Sequence, residues 1–259
     1  MEAKPAHEVS AQIRERLIHD LKDDNFVLYF QSIVPVIASA TEPLHREILV
    51  RFKEEEDDLI APGSFLPVLE EHGLTALLDR WVVAQILKWT RGKQVSDTSR
   101  KVPRSGINLS SDTLRRDPAF ADFVVNGLRK TEVTGACLMF ELPVAEVLAA
   151  GESISRLTAP LRAAGCSLAL NDFVGQPGGF ELAEKLGFNF IKIDGSLIDR
   201  ITRDAHTMAR VIAMQERCRK LGLRTICMQV ESPDTLEALR TIRADYAQGF
   251  GIDRPRLLQ

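Results

Sequence analysis

Glu47 and Arg51 stand four positions apart in the run Glu47-Ile48-Leu49-Val50-Arg51, and a period of two puts them on one face of a strand. A carboxylate in such a run needs a strand end or a partner, because burying it alone costs several kcal/mol. An acid and a base aimed the same way suit a metal or a phosphate. Other polar residues recur at or just past the carboxyl ends of apolar segments. They are Gln31, Asn108, Glu141, Asn171 with Asp172, Lys192 with Asp194, Glu231 and Gln248. One glutamate after a strand reads most simply as a helix cap; eight positions in register, counting Glu47, do not. Glu47, Asn108, Glu141 and Asp172 are hard oxygen ligands of the kind that magnesium or calcium prefers. Lys192 offers a phosphate a point charge and Arg51 a fork. The set points to a phosphate ester as ligand.

These residues need elements to hold them. Strands are expected over residues 26–34, 44–52, 105–109, 136–142, 166–170, 188–193, 223–230 and 245–248. Between them the apolar spacing predicts helices over 62–72, 75–91, 111–130, 152–164, 204–221 and 233–243, with a further helix ending at Leu186. Residues 53–58 read as a charged hairpin tip and 92–104 as a loop. From residue 105 onward strand and helix alternate through short connections, which predicts parallel strands covered by helices. The fold class is α/β: a TIM-like (β/α)8 barrel with an irregular, antiparallel first hairpin. A doubly wound open sheet is the alternative, weakened because no glycine-rich phosphate fingerprint follows the first strand. Residues 1–24 are expected to form an N-terminal helix or linker, with Ile13, Leu17, Ile18 and Leu21 on one face, and residues 25–259 the barrel domain.

The 259 residues carry a formal charge of −3, so nothing argues for a nucleic-acid coat. No apolar run is long enough to span a membrane, and Met1 to Ser10 lack the pattern of a signal peptide, so a cytoplasmic chain without membrane insertion is expected. Cys137, Cys166, Cys218 and Cys227 show no metal-binding spacing and read as buried thiols. Met208, Met214 and the tryptophans are expected to be packing residues, and His45 a surface residue.

The order of the polar residues resembles the EAL domain, the cyclic di-GMP phosphodiesterase fold of bacteria, from about Asn25 to Pro255. The opening strand 26–34 carries Gln31 where the family has its glutamine. Glu47-Ile48-Leu49-Val50-Arg51 stands for Glu-Ala-Leu-Leu-Arg, and Pro62-Gly63-Ser64-Phe65-Leu66-Pro67 for the helix start that follows it. Ile107-Asn108-Leu109-Ser110 stands for Val-Asn-Leu-Ser, Ile191-Lys192-Ile193-Asp194 for Leu-Lys-Ile-Asp, and Tyr246-Ala247-Gln248-Gly249-Phe250 for the Gln-Gly strand. Arg254-Pro255 stands for the family ending. The resemblance implies a barrel that binds cyclic di-GMP on its strand carboxyl face. In active members two metal ions, held by Glu, Asn, Glu and Asp, cut one phosphodiester to give linear pGpG.

Family catalytic positions are retained at Glu47 and Lys192 and altered at three others. Asn171 replaces the aspartate that bridges both metals. Val144 replaces a glutamate that braces the catalytic loop, and Met228 replaces a metal-site glutamate. The loop from Val174 to Gly179 lacks the family's Gly-Thr-Gly. Three losses of charge or support imply a degenerate domain rather than an enzyme; a protein-interaction module without nucleotide binding and a weakly active phosphodiesterase giving pGpG are the alternatives. Ligand-binding positions persist at Gln31, Glu47, Leu49, Arg51, Asn108, Asp194, Glu231, Gln248, Gly249 and Pro255. The resemblance therefore implies a cyclic di-GMP receptor similar to the regulator of type IV pilus assembly, with a protein partner of the PilZ type and a homodimer as expectations. No cofactor is required on this reading; magnesium or manganese at a residual single site of Glu47, Asn108, Glu141 and Asp172 is the exception it leaves. Arg51→Ala is expected to cost most of the nucleotide affinity and Glu47→Ala little.

Overall fold

The computed structural model describes residues 15, 19, 25–37, 45–53, 59–60, 62–96 and 102–259. Eight strands close into a barrel. They are β1 (Phe26–Pro35), β2 (His45–Lys53), β4 (Arg104–Asn108), β5 (Leu138–Pro143), β6 (Ser167–Phe173), β7 (Phe190–Ile193), β8 (Arg224–Cys227) and β9 (Tyr246–Ala247). Two short strands, β3 (Leu59–Ile60) and β10 (Arg256–Leu257), add to the flanks of β2 and β1. From β2 through β9 the barrel neighbours run parallel, whereas β1 is antiparallel to both β2 and β9. The barrel class and the antiparallel first hairpin are as the residue pattern predicts.

Alternation along the strands separates two apolar regions. Outward residues such as Phe140, Leu168, Leu170, Ile191 and Cys227 meet the helices and form the main core. Inward residues Ile33, Met139, Ala169, Phe190, Ile226 and Tyr246 fill the barrel itself. Each large side chain buried this way contributes about 1.5–3 kcal/mol. All four cysteines are buried thiols.

Several boundaries differ from the pattern. The second long helix continues through Ser96, so the loop expected from residue 92 is helical at its start. Residues 97–101 and the hairpin tip 54–58 lie outside the described residues. So does the helix expected over 8–24, apart from Glu15 and His19, which are both helical. The helix expected over 111–130 is two, Ser111–Arg116 and Phe120–Thr131, because Pro118 cannot continue the first. A helix at Val144–Ala150 and a short one at Gly195–Ile198 were not anticipated. His45 is not a surface residue. It points into the barrel at 4% exposure, edge-on to Tyr246 and Phe190 with ring centroids 4.8 and 5.5 Å away.

Candidate functional site at the strand carboxyl ends

Three parallel strands and one antiparallel pair deliver the centre of the site. Glu47 on β2 pairs with Gln31 on β1 and with Gly106 on β4. Gln31 thus reaches the same layer from mid-strand, although its strand runs the other way. Asn108 pairs with Glu141 across β4 and β5. Lys192 rises from β7, fully buried, and its ammonium donates to Glu47 Oε2 at 2.8 Å and to Glu141 Oε2. Glu47 also accepts from Gln248 Nε2 at 2.7 Å on Oε2 and from Asn108 Nδ2 at 2.6 Å on Oε1. Gln248 Nε2 reaches Gln31 Oε1 at 2.9 Å, and Gln31 Nε2 donates to the Asp253 carbonyl at 2.8 Å.

The two carboxylates answer burial differently. Burial alone would raise Glu47, but the charge of Lys192 and three hydrogen-bonding partners outweigh it and hold Glu47 below its ordinary value. Glu141 is pushed up to about 7, by burial first and by the Glu47 charge second, against the pull of Lys192. Glu141 Oε1 is buried with no hydrogen-bond partner among the described residues. It lies against Gly106, where a Cβ would stand 2.2 Å away, so a larger residue there would push this carboxyl aside. The same pair of carboxylates raises the affinity of Lys192 for its proton despite burial.

A bulge aims Asn171 and Asp172. The pairing of β6 with β7 shifts between Leu170 and Phe173, which inserts one extra residue. Asp172 takes a left-handed φ of 56° there and becomes exposed, while Asn171 Nδ2 donates to Asn108 Oδ1 at 3.3 Å. Burial, and then the nearby Asp194, raise the pKa of Asp172.

Arg51 shares the inward face of Glu47 but not its layer. Four strand residues separate their backbones by about 13 Å. Arg51 is half-buried beside the Tyr29 ring at 5.8 Å, donates to the Val50 carbonyl at 2.9 Å, and pairs with no carboxylate among the described residues. Leu49, between the two, is half-buried. Asp194 is half-buried and caps the short helix after β7 by accepting from Ser196 N at 2.8 Å. Glu231 is exposed past β8 and Pro255 half-buried near the chain end. Gly249 is buried where a Cβ would stand 2.2 Å from the Val230 backbone, so the loops after β8 and β9 dock only through a glycine.

The altered positions have new roles. Val144 is buried in the main core at the start of its helix. Met228 packs on the cluster inside the barrel. Gln229 holds φ at 54°, a left-handed conformation that favours glycine, and its side chain covers Gly195. Its role was not anticipated.

The residues present do not fit a pair of bridged cations. Bridging needs an anion at Asn171, which instead donates an N–H. Both Glu47 oxygens are already engaged by N–H donors, so a single cation would have to displace Lys192, Asn108 or Gln248 there. Glu47→Ala would leave Lys192 with Glu141 as its carboxylate partner among the described residues, so that change bears on stability as well as on the nucleotide.

Comparisons with known proteins bear on the family and the fold. A family model described as the EAL domain matches residues 14–255. The cyclic di-GMP phosphodiesterase PdeF of Escherichia coli is 29% identical over 245 residues, covering 94% of this chain and 32% of that protein. PdeB of Shewanella oneidensis, also named a cyclic di-GMP phosphodiesterase, is 25% identical over 243 residues, covering 94% of this chain and 28% of its own length. The chain thus spans less than a third of the length of these relatives. Among solved structures, the Xanthomonas citri FimX EAL domain in complex with c-diGMP superposes with a TM-score of 0.86 at 22% identity, covering 98% of this chain and 97% of that one. The PaMucR phosphodiesterase c-di-GMP complex gives a TM-score of 0.83 at 24% identity, covering 95% and 98%. These two likenesses speak for the fold alone. With the family match spanning nearly the whole barrel, the chain belongs to the EAL domain family.

Proposed function

We propose that this EAL domain is a cyclic di-GMP receptor that binds the dinucleotide without cutting it and passes the signal to a protein partner. One observation carries the reading. At the carboxylate layer Asn171 stands in place of an anion and donates an N–H to Asn108. Generating a hydroxide needs metals that lower the pKa of water, and the residues here do not fit a bridged pair. The rim keeps the groups for recognition. Arg51 offers two N–H groups to a phosphate. Glu231 is placed to accept from a guanine edge, which presents two donors. Gln31, Leu49, Asn108, Asp194, Gln248, Gly249 and Pro255 complete the ligand set. Binding on this reading requires no metal, and magnesium or manganese at Glu47, Asn108, Glu141 and Asp172 is incidental to it. A PilZ-type partner, a homodimer, a linker role for residues 1–24 and a cytoplasmic setting belong to the same proposal. Among the described residues no helix is long and apolar enough to cross a membrane.

Calorimetry with cyclic di-GMP in the presence of chelator tests the reading, with chromatography for pGpG after long incubation in magnesium or manganese. Heat of binding in chelator with no pGpG supports it. Release of pGpG makes the chain a phosphodiesterase like its named relatives, and absence of binding removes the receptor role.

A further inference from the structure

Arg46 precedes Glu47 on β2 and therefore points to the other side of the sheet. It is 4% exposed. Its Nε and Nη2 both donate to one neutral acceptor, Ser105 Oγ, at 3.1 and 3.0 Å. A guanidinium carries five N–H donors, and no carboxylate pairs with this one among the described residues. Aromatic faces supply the rest of its surroundings. The guanidinium carbon lies 4.0 Å from the Trp89 ring centroid and 5.5 Å from that of Phe30. Arg256 covers Phe30 at 5.1 Å and Lys93 covers Trp89 at 5.5 Å, so cations and rings alternate in a row.

This row lines a cavity of about 680 Å³. The cavity follows the β1–β2 hairpin between β10 and the end of the helix Thr75–Ser96, toward the amino ends of the parallel strands. It lies on the outer face of β2, across the barrel wall from the carboxylate layer. Its remaining walls are largely aliphatic, including Val34, Val102 and Leu258, and none of the described side chains lining it is acidic; Gln259 also lines it, and its main-chain oxygen accepts from Trp89 Nε1 at 2.7 Å. The volume falls within the range of small-molecule sites. A buried cation served by one hydroxyl is an unfavourable arrangement that an anion would relieve.

We propose that this cavity is a second ligand site, for a small amphipathic monocarboxylate whose head group pairs with Arg46 and whose aliphatic body lies along the walls. The ligand carries one negative charge because Arg256 already has a carboxylate, Asp253 Oδ2 at 2.9 Å. Burial also draws the Arg46 pKa down to about 10, which leaves the guanidinium charged at neutral pH and ready for a partner.

Octanoate and its neutral counterpart octanol are the probes, titrated calorimetrically into the whole chain. The expected result is saturable one-to-one binding of octanoate, weaker by at least about tenfold for octanol and for octanoate with Arg46→Met. Val102→Trp places a larger side chain in the cavity wall and should abolish binding. It decides the matter by itself if Arg46→Met does not fold. No heat with millimolar octanoate overturns the proposal, as does equal affinity for octanol or unchanged octanoate affinity in a folded variant.

Discussion

Lys192 and Arg46 are both cations held almost wholly out of water, at 0% and 4% exposure, yet their surroundings differ in kind. Lys192 stands between two carboxylates inside the barrel. Arg46 lies outside it between two aromatic rings, with a single hydroxyl to donate to. The difference arises at one strand. Arg46 and Glu47 are consecutive, so the pleat of β2 sends one side chain to each region, and a slip of one residue would exchange them. A buried charge whose partners come from the same chain is structure; one without them is an open valence for something else.

The largest effect expected from this comparison is at Lys192. Lys192→Met leaves Glu47 and Glu141 together without their ammonium and should cost about 3–5 kcal/mol in urea unfolding. A loss below about 1 kcal/mol would mean that the pair is not the keystone of the barrel interior.

Next comes the rim. Arg51→Ala should weaken cyclic di-GMP binding by about 1.5–3 kcal/mol, the worth of a hydrogen bond to a charged group, with unfolding unchanged. Glu47→Gln, which keeps the shape of the side chain, should alter nucleotide affinity less than Arg51→Ala does. Calorimetry on both variants checks the order; the reverse order would place a cation at Glu47.

The third expectation concerns pH. Glu141 is raised from 4.5 to about 7 in the folded chain, so between those values the folded state holds a proton that the unfolded state gives up. Stability therefore falls as pH rises toward 7, by at most about 1.4 kcal/mol per pH unit for one group, and levels off above it. Asp79, raised to about 6 by burial against the hydrogen bonds from Thr113 and Ser110, acts in the same direction below pH 6. Glu47, held low, acts oppositely, but its contribution is lost only below its unfolded value of 4.5. Urea unfolding at intervals from pH 5 to 8 should show this decline, and Glu141→Gln should flatten it between pH 6 and 7. A wild-type curve that rises across that window would rule out a protonated Glu141.

The smallest effect is the counterpart of the first. Arg46→Met makes the same change of cation to thioether, but no carboxylate is left behind. Its unfolding free energy should stay within about 1 kcal/mol of wild type, because the lost stacking is offset by the lost desolvation penalty. A cost as large as that of Lys192→Met would show that Arg46 is structurally paired after all.

Much of the site could be read from residue types. Asn108, Glu141, Lys192 and Gln248 lie where apolar runs end, and the structure gathers them in one layer with Glu47 and Gln31. What could not be read is distance across the layer. Arg51 has the right face but stands four residues beyond Glu47, and periodicity reports faces without reporting depth. His45 was misread for a related reason. A histidine beside Arg46 and Glu47 looks like surface until the barrel closes and sets it against Tyr246 and Phe190. Trp89, expected in packing, stacks on Arg46 and also forms one wall of the outer cavity.

By itself the sequence determined the barrel class, the antiparallel first hairpin and the strands that carry each polar residue, because strand periodicity and chain order are local properties. Set beside the family it resembles, it also recorded the replacement of charged residues at Asn171, Val144 and Met228. Only the tertiary structure decided which of those polar residues satisfy one another. The opening pair illustrates the division. Glu47 reads as a metal ligand when alone and becomes the acceptor for Lys192, Asn108 and Gln248 once the sheet closes. Whether a buried charge is paired depends on residues 51 to 201 positions away, and no spacing along the chain encodes that.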